Sequence, residues 1–148
     1  MTHPDQPLPA VSVIVRNYNR GARLARALDS ILAQNFQDFE ILLVDDASTD
    51  DSVGFVRANY GHLPNLRIIE LLVNRGAGGA ANAGLDCARG RYVAFLDSDD
   101  AWLPEFLQFH VSALEGNPKA VITYGSFIQV WEEHAIERVM RAHQSANQ

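Results

Sequence analysis

Cysteine is almost absent from this chain: Cys87 is its one example. An internal disulfide is thereby excluded, which suits a reducing compartment. No base or basic cluster adjoins Cys87, so it reads as a helix residue that packs rather than reacts. No run of about 18 apolar residues occurs, so no segment has the length to cross a bilayer as a helix. The opening MTHPDQPLPA lacks the charged-then-apolar order of a signal peptide. Residues 1–10 read as a loose leader. These absences set the expected location as cytoplasmic, at most peripheral at the inner membrane. Basic charge is also scarce: 12 Lys and Arg stand against 18 Asp and Glu, a net charge of -6 with a pI near 5.2. Phosphate backbones demand basic patches, so nucleic acid is not an expected partner. An acid-rich chain still takes anionic ligands when a divalent metal stands between. The five histidines are scattered without zinc-helix spacing and read as surface or helix-face residues.

Apolar residues are plentiful, at 47% of 148 residues, with 20% charged. That supports one domain with a real core and excludes disorder. Residues 11–15, a β-branched run before Asn17-Tyr18-Asn19, predict a buried strand. Leu24, Leu28, Ile31 and Leu32 recur at helical spacing, predicting a helix over 22–34. A second strand is expected over 39–44, ending on Asp45-Asp46. Ser48 followed by Asp51 resembles a capping box for a helix running to Tyr60. A third strand is expected over 66–73, then a permissive loop over 76–79 and an Ala-rich helix through Ala88, with Gly90 suited to the position beyond its end. A fourth strand over 92–96 stops at Asp97-Ser98-Asp99-Asp100. Pro104 suits the opening of a helix that buries Phe106, Leu107, Val111 and Leu114. A fifth strand over 120–124 and a helix over 131–143 complete the expectation.

Apolar strands alternating with helices predict an α/β fold, a mainly parallel sheet covered by helices on both faces in the Rossmann manner. Ligands of such sheets sit beyond the carboxyl ends of the strands. Three strands here end in polar chemistry, and right-handed crossovers gather those ends along one edge.

Asp97-x-Asp99 leaves an apolar strand directly. Carboxylates two apart address one hard cation and its water shell, and Mg²⁺ or Mn²⁺ shares such oxygens with diphosphate. The alternative is an acidic helix-capping loop, but three acids in four residues repel one another without a cation. Asp45-Asp46 offers either a capped turn or an acceptor for a base or ribose. Gly76-Ala77-Gly78-Gly79-Ala80-Ala81 mimics a dinucleotide fingerprint, yet it follows the third strand and not the first. Small residues there also let a helix lie close to the sheet, and a diphosphate suits that helix start. The string Val93 to Asp99 mimics an aspartyl-phosphate phosphatase, but comes fourth in the chain instead of first.

Taken in order, these segments resemble the family-two glycosyltransferases. Residues 11–19 resemble the family's opening strand and Tyr-Asn turn, and ILLVDDASTD over 41–50 its VDDGSTD segment. Asn74-Arg75-Gly76 through Asn82-Ala83-Gly84 resembles its Asn-x-Gly to Ala-Arg-Asn-x-Gly stretch. Residues 88–104 resemble its segment of a strand, DxDD and a following Pro. The similarity runs from about Val11 to Gly125.

The resemblance implies a GT-A nucleotide-sugar-binding domain over 11–125, an inverting transfer from a nucleoside-diphosphate sugar, and a divalent cofactor, Mn or Mg. It implies that Tyr18 packs on the nucleobase, with Asn17 beside it. It implies that Asp46 accepts from the base edge with Asp45 adjacent, that Asp97 serves the ribose or metal waters, and that Asp99 binds the metal. Arg16-Asn17 stands where the family often has Pro and a small residue, and Ala47 where Gly is usual. Ala81 replaces the family's helix Arg, leaving Arg75 as the candidate diphosphate partner. Residues 126–148 are expected to be a tail opening onto an acceptor half outside the chain, and the general base is expected there too. Glu132 and Glu133 lack the family's motif context. The expected acceptor is a saccharide or lipid-linked glycan. An incomplete domain exposes apolar surface, so a homo-oligomer is a further expectation. The alternative function is a non-catalytic nucleotide-sugar-binding module.

Overall fold

The computed structural model describes residues 8–125 and the backbone of 127–131 and 136–140. Four strands, β1 (Val11–Asn17), β2 (Phe39–Asp45), β3 (Leu66–Glu70) and β4 (Tyr92–Asp97), form one parallel sheet in the order β3-β2-β1-β4. Between them run α1 (Leu24–Leu32), entered through a 3₁₀ turn at Gly21–Arg23, then α2 (Ser52–Tyr60) and α3 (Gly76–Cys87); α4 (Phe106–Gly116) follows β4. The chain therefore builds outward from β1 to β3, then returns to place β4 on the other side of β1. That reversal opens a crevice beyond the carboxyl ends of β1 and β4.

The two central strands are covered on both faces, which explains their apolar runs over 13–15 and 41–44. Ile14, Leu42, Val44 and Ala80 form one core cluster under α3, with Ile69, Leu71, Ala83 and Cys87 packed against it. Gly84 permits this approach: a Cβ there would meet Ile14 Cγ2 at 2.6 Å. The alternate residues Val13, Val15, Ile41 and Leu43 point to the other face and are equally buried, as are Leu24, Ala27, Leu28 and Ile31 of α1. Each buried aliphatic side chain of this size contributes about 1.5–3 kcal/mol of transfer free energy.

At the amino end of the sheet, opposite the crevice, lies a buried carboxylate. Glu40 accepts from Ser12 Oγ at 2.8 Å and from Arg89 Nε and Nη2 at 3.1 and 2.8 Å. Arg67 reaches it at 3.4 Å. Burial alone pushes the Glu40 carboxyl up; hydrogen bonds from Arg89 and Ser12, with the Arg89 charge, outweigh that and leave it below its ordinary value.

Several expected elements are corrected. Residues 120–124 form no strand; Val121 and Ile122 are exposed and lack the half-buried setting that β-branched residues favour. Instead β5 (Phe127–Trp131) and β6 (Ile136–Met140) pair antiparallel. The helix expected over 131–143 is thus a strand where its backbone is described, and residues 132–135 and 141–143 lie outside the described residues. Ser48 caps nothing: α2 begins beyond Asp51, and Ser48 bonds Asp45 instead. The loop expected over 76–79 is already the first turn of α3. Gly90 serves close approach and not a left-handed helix end, since a Cβ there would meet the Ser12 backbone N at 2.4 Å. Pro104 lies in a turn before α4, which buries Leu107 and Val111 but leaves Phe106 and Leu114 half-buried.

The chain divides into two compact units at Gln108 and Phe109. In the second unit His110, expected on a surface or a helix face, lies on α4, is buried and pairs with Thr123 Oγ1 at 3.0 Å. Burial pushes its imidazole below the ordinary value. His62 is exposed, and His3, His134 and His143 lie outside the described residues. No described helix is long and apolar enough to cross a membrane.

Candidate functional site

The crevice is a cleft of about 440 Å³ beyond the carboxyl ends of β1, β2 and β4. The end of β1 and its turn supply Arg16, Asn17, Tyr18 and Arg20; β2 is continued by Asp46; the loop before α3 gives Asn74; α3 gives Gly76, Ala77 and Ala80; β4 ends in Asp97, Ser98 and Asp99. Tyr18 is 48% exposed, so its ring is available to a flat ligand.

Local hydrogen bonds explain how these groups are held. Asp46 continues the β-ladder through its N–H, which donates to the Asn17 carbonyl at 2.8 Å. Its Oδ1 accepts from the Arg75 N–H at 2.6 Å, and its carbonyl from Asn74 Nδ2 at 3.2 Å. Asp45 has a different task. Its Oδ1 accepts from Asn17 Nδ2 and from Ser48 Oγ, both at 2.6 Å, and its Oδ2 from the Ser48 N–H at 2.9 Å. Ser48 Oγ in turn accepts from the Asn19 N–H at 3.0 Å. Asn19 has a positive φ of 52°, and its Oδ1 accepts from the Thr49 N–H at 2.8 Å. The turn carrying Tyr18 is therefore pinned to the loop after β2.

The acidic end of β4 meets arginines from β1 and its turn. Asp97 is ion-paired with Arg16, and Asp99 Oδ2 with Arg20 Nη2 at 3.0 Å. Arg16 Nη1 also donates to the Ala77 carbonyl at 3.4 Å, in the first turn of α3. Asp100 sits beside both acids: partial burial first, then the charges of Asp99 and Asp97, push its carboxyl up, while Arg26 pulls it down.

Asp97 and Asp99 offer hard oxygen donors at a half-exposed edge of the cleft. Among the described residues no group of three or more His, Cys, Asp or Glu is disposed to hold a metal ion. A pair of carboxylates with open positions suits Mg²⁺ or Mn²⁺, which keep waters and share phosphate oxygens. The donor set thus fits an ion completed by a ligand, not one caged by protein.

Of the residues singled out in the sequence, Tyr18, Asn17, Asp46, Asp97 and Asp99 come together in the cleft. Asp45 stands behind it as a turn anchor. Arg75 contributes its backbone N–H to Asp46, and its side chain stem lies against Gly79; it is not among the cleft-lining residues. Sequence reasoning missed Arg16, Arg20 and Asn74 as lining groups. The signal for Arg16 was present: it is the one charged residue in the apolar run of β1.

Acidic strand ends and a helix start gathered at the switch point of a parallel sheet are the usual setting of a ligand site in an α/β domain. The match is more specific than that. The family model described as Glycosyl transferase family 2 covers residues 12–147, and the chain belongs to that family. Among relatives, the chain is 34% identical over 119 residues to an Escherichia coli protein, UDP-Glc:alpha-D-GlcNAc-diphosphoundecaprenol beta-1,3-glucosyltransferase WfaP, covering 79% of this chain and 45% of that one. Among solved structures, S. aureus TarS 1-349 in complex with UDP-GlcNAc superposes with a TM-score of 0.67 at 28% identity, covering 81% of this chain and 40% of TarS 1-349. The mannosyltransferase PcManGT from Pyrobaculum calidifontis, in complex with GDP-Man and Mn²⁺, gives a TM-score of 0.68 at 30% identity, covering 82% of this chain and 38% of that one. The sheet and its helices are those of a GT-A glycosyltransferase. The chain spans less than half the length of each of these three proteins.

Proposed function

We propose that the cleft holds the nucleoside-diphosphate sugar of a metal-assisted, inverting glycosyl transfer to a saccharide or lipid-linked glycan. The observation that carries this reading is the convergence of Tyr18, Asp46, Asp97 and Asp99 on one cleft at the start of α3. Tyr18 stacks on the base, and Asp46, fixed by the Arg75 N–H, accepts from the base edge. Asn17 and Asp45 set the register of both. Asp97 and Asp99 would hold the divalent ion, with the diphosphate over the first turn of α3, whose dipole and N–H groups favour anions. A bound Mn²⁺ or Mg²⁺ supplies Lewis-acid charge to the departing nucleoside diphosphate. The complexes of TarS with UDP-GlcNAc and of PcManGT with GDP-Man and Mn²⁺ support the donor class and the metal. The lipid-linked sugar in WfaP's name supports the acceptor class.

The test is titration calorimetry with UDP, GDP and other nucleoside diphosphates, in Mn²⁺ and in chelator. Binding is expected for at least one nucleotide, dependent on metal, and lost in Asp99→Ala with the fold intact by circular dichroism. Equal affinity in Mn²⁺ and chelator, for parent and variant alike, sinks the reading.

A second reading has one observation in its favour. The acids lining the cleft among the described residues are Asp46, Asp97 and Asp99, and the donor reading uses all three. None is left to deprotonate an acceptor, which is the composition of a binding module.

A further inference from the structure

We propose that Arg16 is an exchangeable cation of the donor site: it occupies Asp97 when the site is empty and passes to the diphosphate when donor and metal enter together. The proposal rests on the donor reading above and adds a residue to it.

Arg16 is placed by register. It pairs with Val44 on one side and Asp97 on the other, at the junction of β1 and β4 where the cleft opens. Its guanidinium joins Asp97 to the first turn of α3, through Nη2 and Nη1 respectively. Nε is buried and has no hydrogen-bond partner. A buried N–H without a partner is costly, and the planar fork of arginine suits two phosphate oxygens. The group is thus held by one carboxylate and one long contact of 3.4 Å, with a donor to spare.

Position and charge then give the consequence. A divalent ion at Asp97 and a guanidinium at Asp97 compete for the same oxygens. While paired with Asp97, Arg16 opposes metal entry. A diphosphate over the α3 start offers Arg16 new acceptors, releases Asp97, and so couples nucleotide binding to metal binding. It also brings a cation to the start of α3, a task the Arg75 side chain, packed against Gly79, does not take up in the cleft.

The experiment is Mn²⁺ titration of the full chain, alone and with saturating UDP, for the parent, Arg16→Met and Arg16→Lys, with melting curves for each. The parent is expected to bind Mn²⁺ weakly alone and much more tightly with UDP. Arg16→Met is expected to bind Mn²⁺ alone about five- to tenfold more tightly, as removal of a half-exposed competing ion pair allows, and to bind UDP in Mn²⁺ about tenfold more weakly. Arg16→Lys is expected to fall between. Unchanged Mn²⁺ affinity in Arg16→Met, while the parent still binds UDP in a metal-dependent way, overturns the role of Arg16 and leaves the donor reading standing. Should Arg16→Met fail to fold, equal parent affinity for Mn²⁺ with and without UDP overturns it on its own. No UDP binding by the parent overturns both.

Discussion

Asn17 Nδ2 donates to Asp45 Oδ1 at 2.6 Å across the paired ends of β1 and β2, while the next residue, Asp46, gives its carboxylate to the Arg75 N–H. Two identical neighbours thus have separate work. Strand ends alternate their side chains, so Asp45 anchors the turn and Asp46 lines the cleft.

The first prediction divides those roles. Asp45→Asn should lower stability by about 1–2 kcal/mol, since it weakens charge-assisted acceptance from Ser48 and Asn17, with little loss of nucleotide affinity in the folded protein. Asp46→Asn should melt near the parent temperature and bind nucleotide about 1–3 kcal/mol more weakly. Melting curves and calorimetry on both variants check this; a larger binding loss in Asp45→Asn reverses the assignment.

Ala47 has a positive φ of 58°. A Cβ is disfavoured in that left-handed region, where glycine is at ease. Ala47→Gly should therefore stabilise the chain by about 0.5–1 kcal/mol, the relief of strain exceeding the added freedom of the unfolded state. Denaturant unfolding measures it, and a destabilised variant contradicts it.

Glu40 predicts a pH dependence. Its carboxyl titrates lower in the folded chain than its ordinary value of 4.5. The contribution is therefore fully present above the unfolded value and is lost as pH falls through the lower folded value. Glu40→Ala removes the buried acceptor shared by Ser12, Arg67 and Arg89 and should cost about 1–3 kcal/mol at pH 7. The stability gap between parent and variant should narrow steadily below pH 4.5. A gap that stays constant down to acid unfolding contradicts the coupling.

Much of this was legible in the sequence, for physical reasons that differ by residue. The runs of β1 and β2 are apolar on both faces because both faces are buried, and an unbroken run carries that information locally. The helical spacing of Leu24, Leu28 and Ile31 does the same for α1. Arg16 was visible as a charge in an apolar strand, but its partner was not: Asp97 is its neighbour only because β4 returns to the far side of β1. Glu40 was silent for the same reason, since Ser12, Arg67 and Arg89 come from distant segments. Residues 120–124 misled because β-branched composition reports fitness for a half-buried sheet surface, and Val121 and Ile122 are exposed.

The last prediction concerns the acceptor. Transfer requires a bound donor, a stabilised leaving group and a base on the acceptor hydroxyl. On the proposed reading the first two tasks fall to Tyr18, Asp46, Asp97 and Asp99, and among the described residues the cleft lining holds no further acid. A positioned base contributes about 10²–10⁴-fold in rate, and orientation of the acceptor adds to that. The 148-residue chain is therefore expected to hydrolyse a nucleotide-sugar donor slowly in Mn²⁺, with a rate that added saccharide or lipid-linked acceptors leave within about twofold. Hydrolysis should vanish in Asp99→Ala, because water attack still needs the metal-held leaving group. Donor turnover, measured with and without acceptors, decides the matter. Efficient acceptor-dependent transfer would place a base within this chain; Glu132 and Glu133, which lie outside the described residues, would then be the first carboxylates to replace by glutamine.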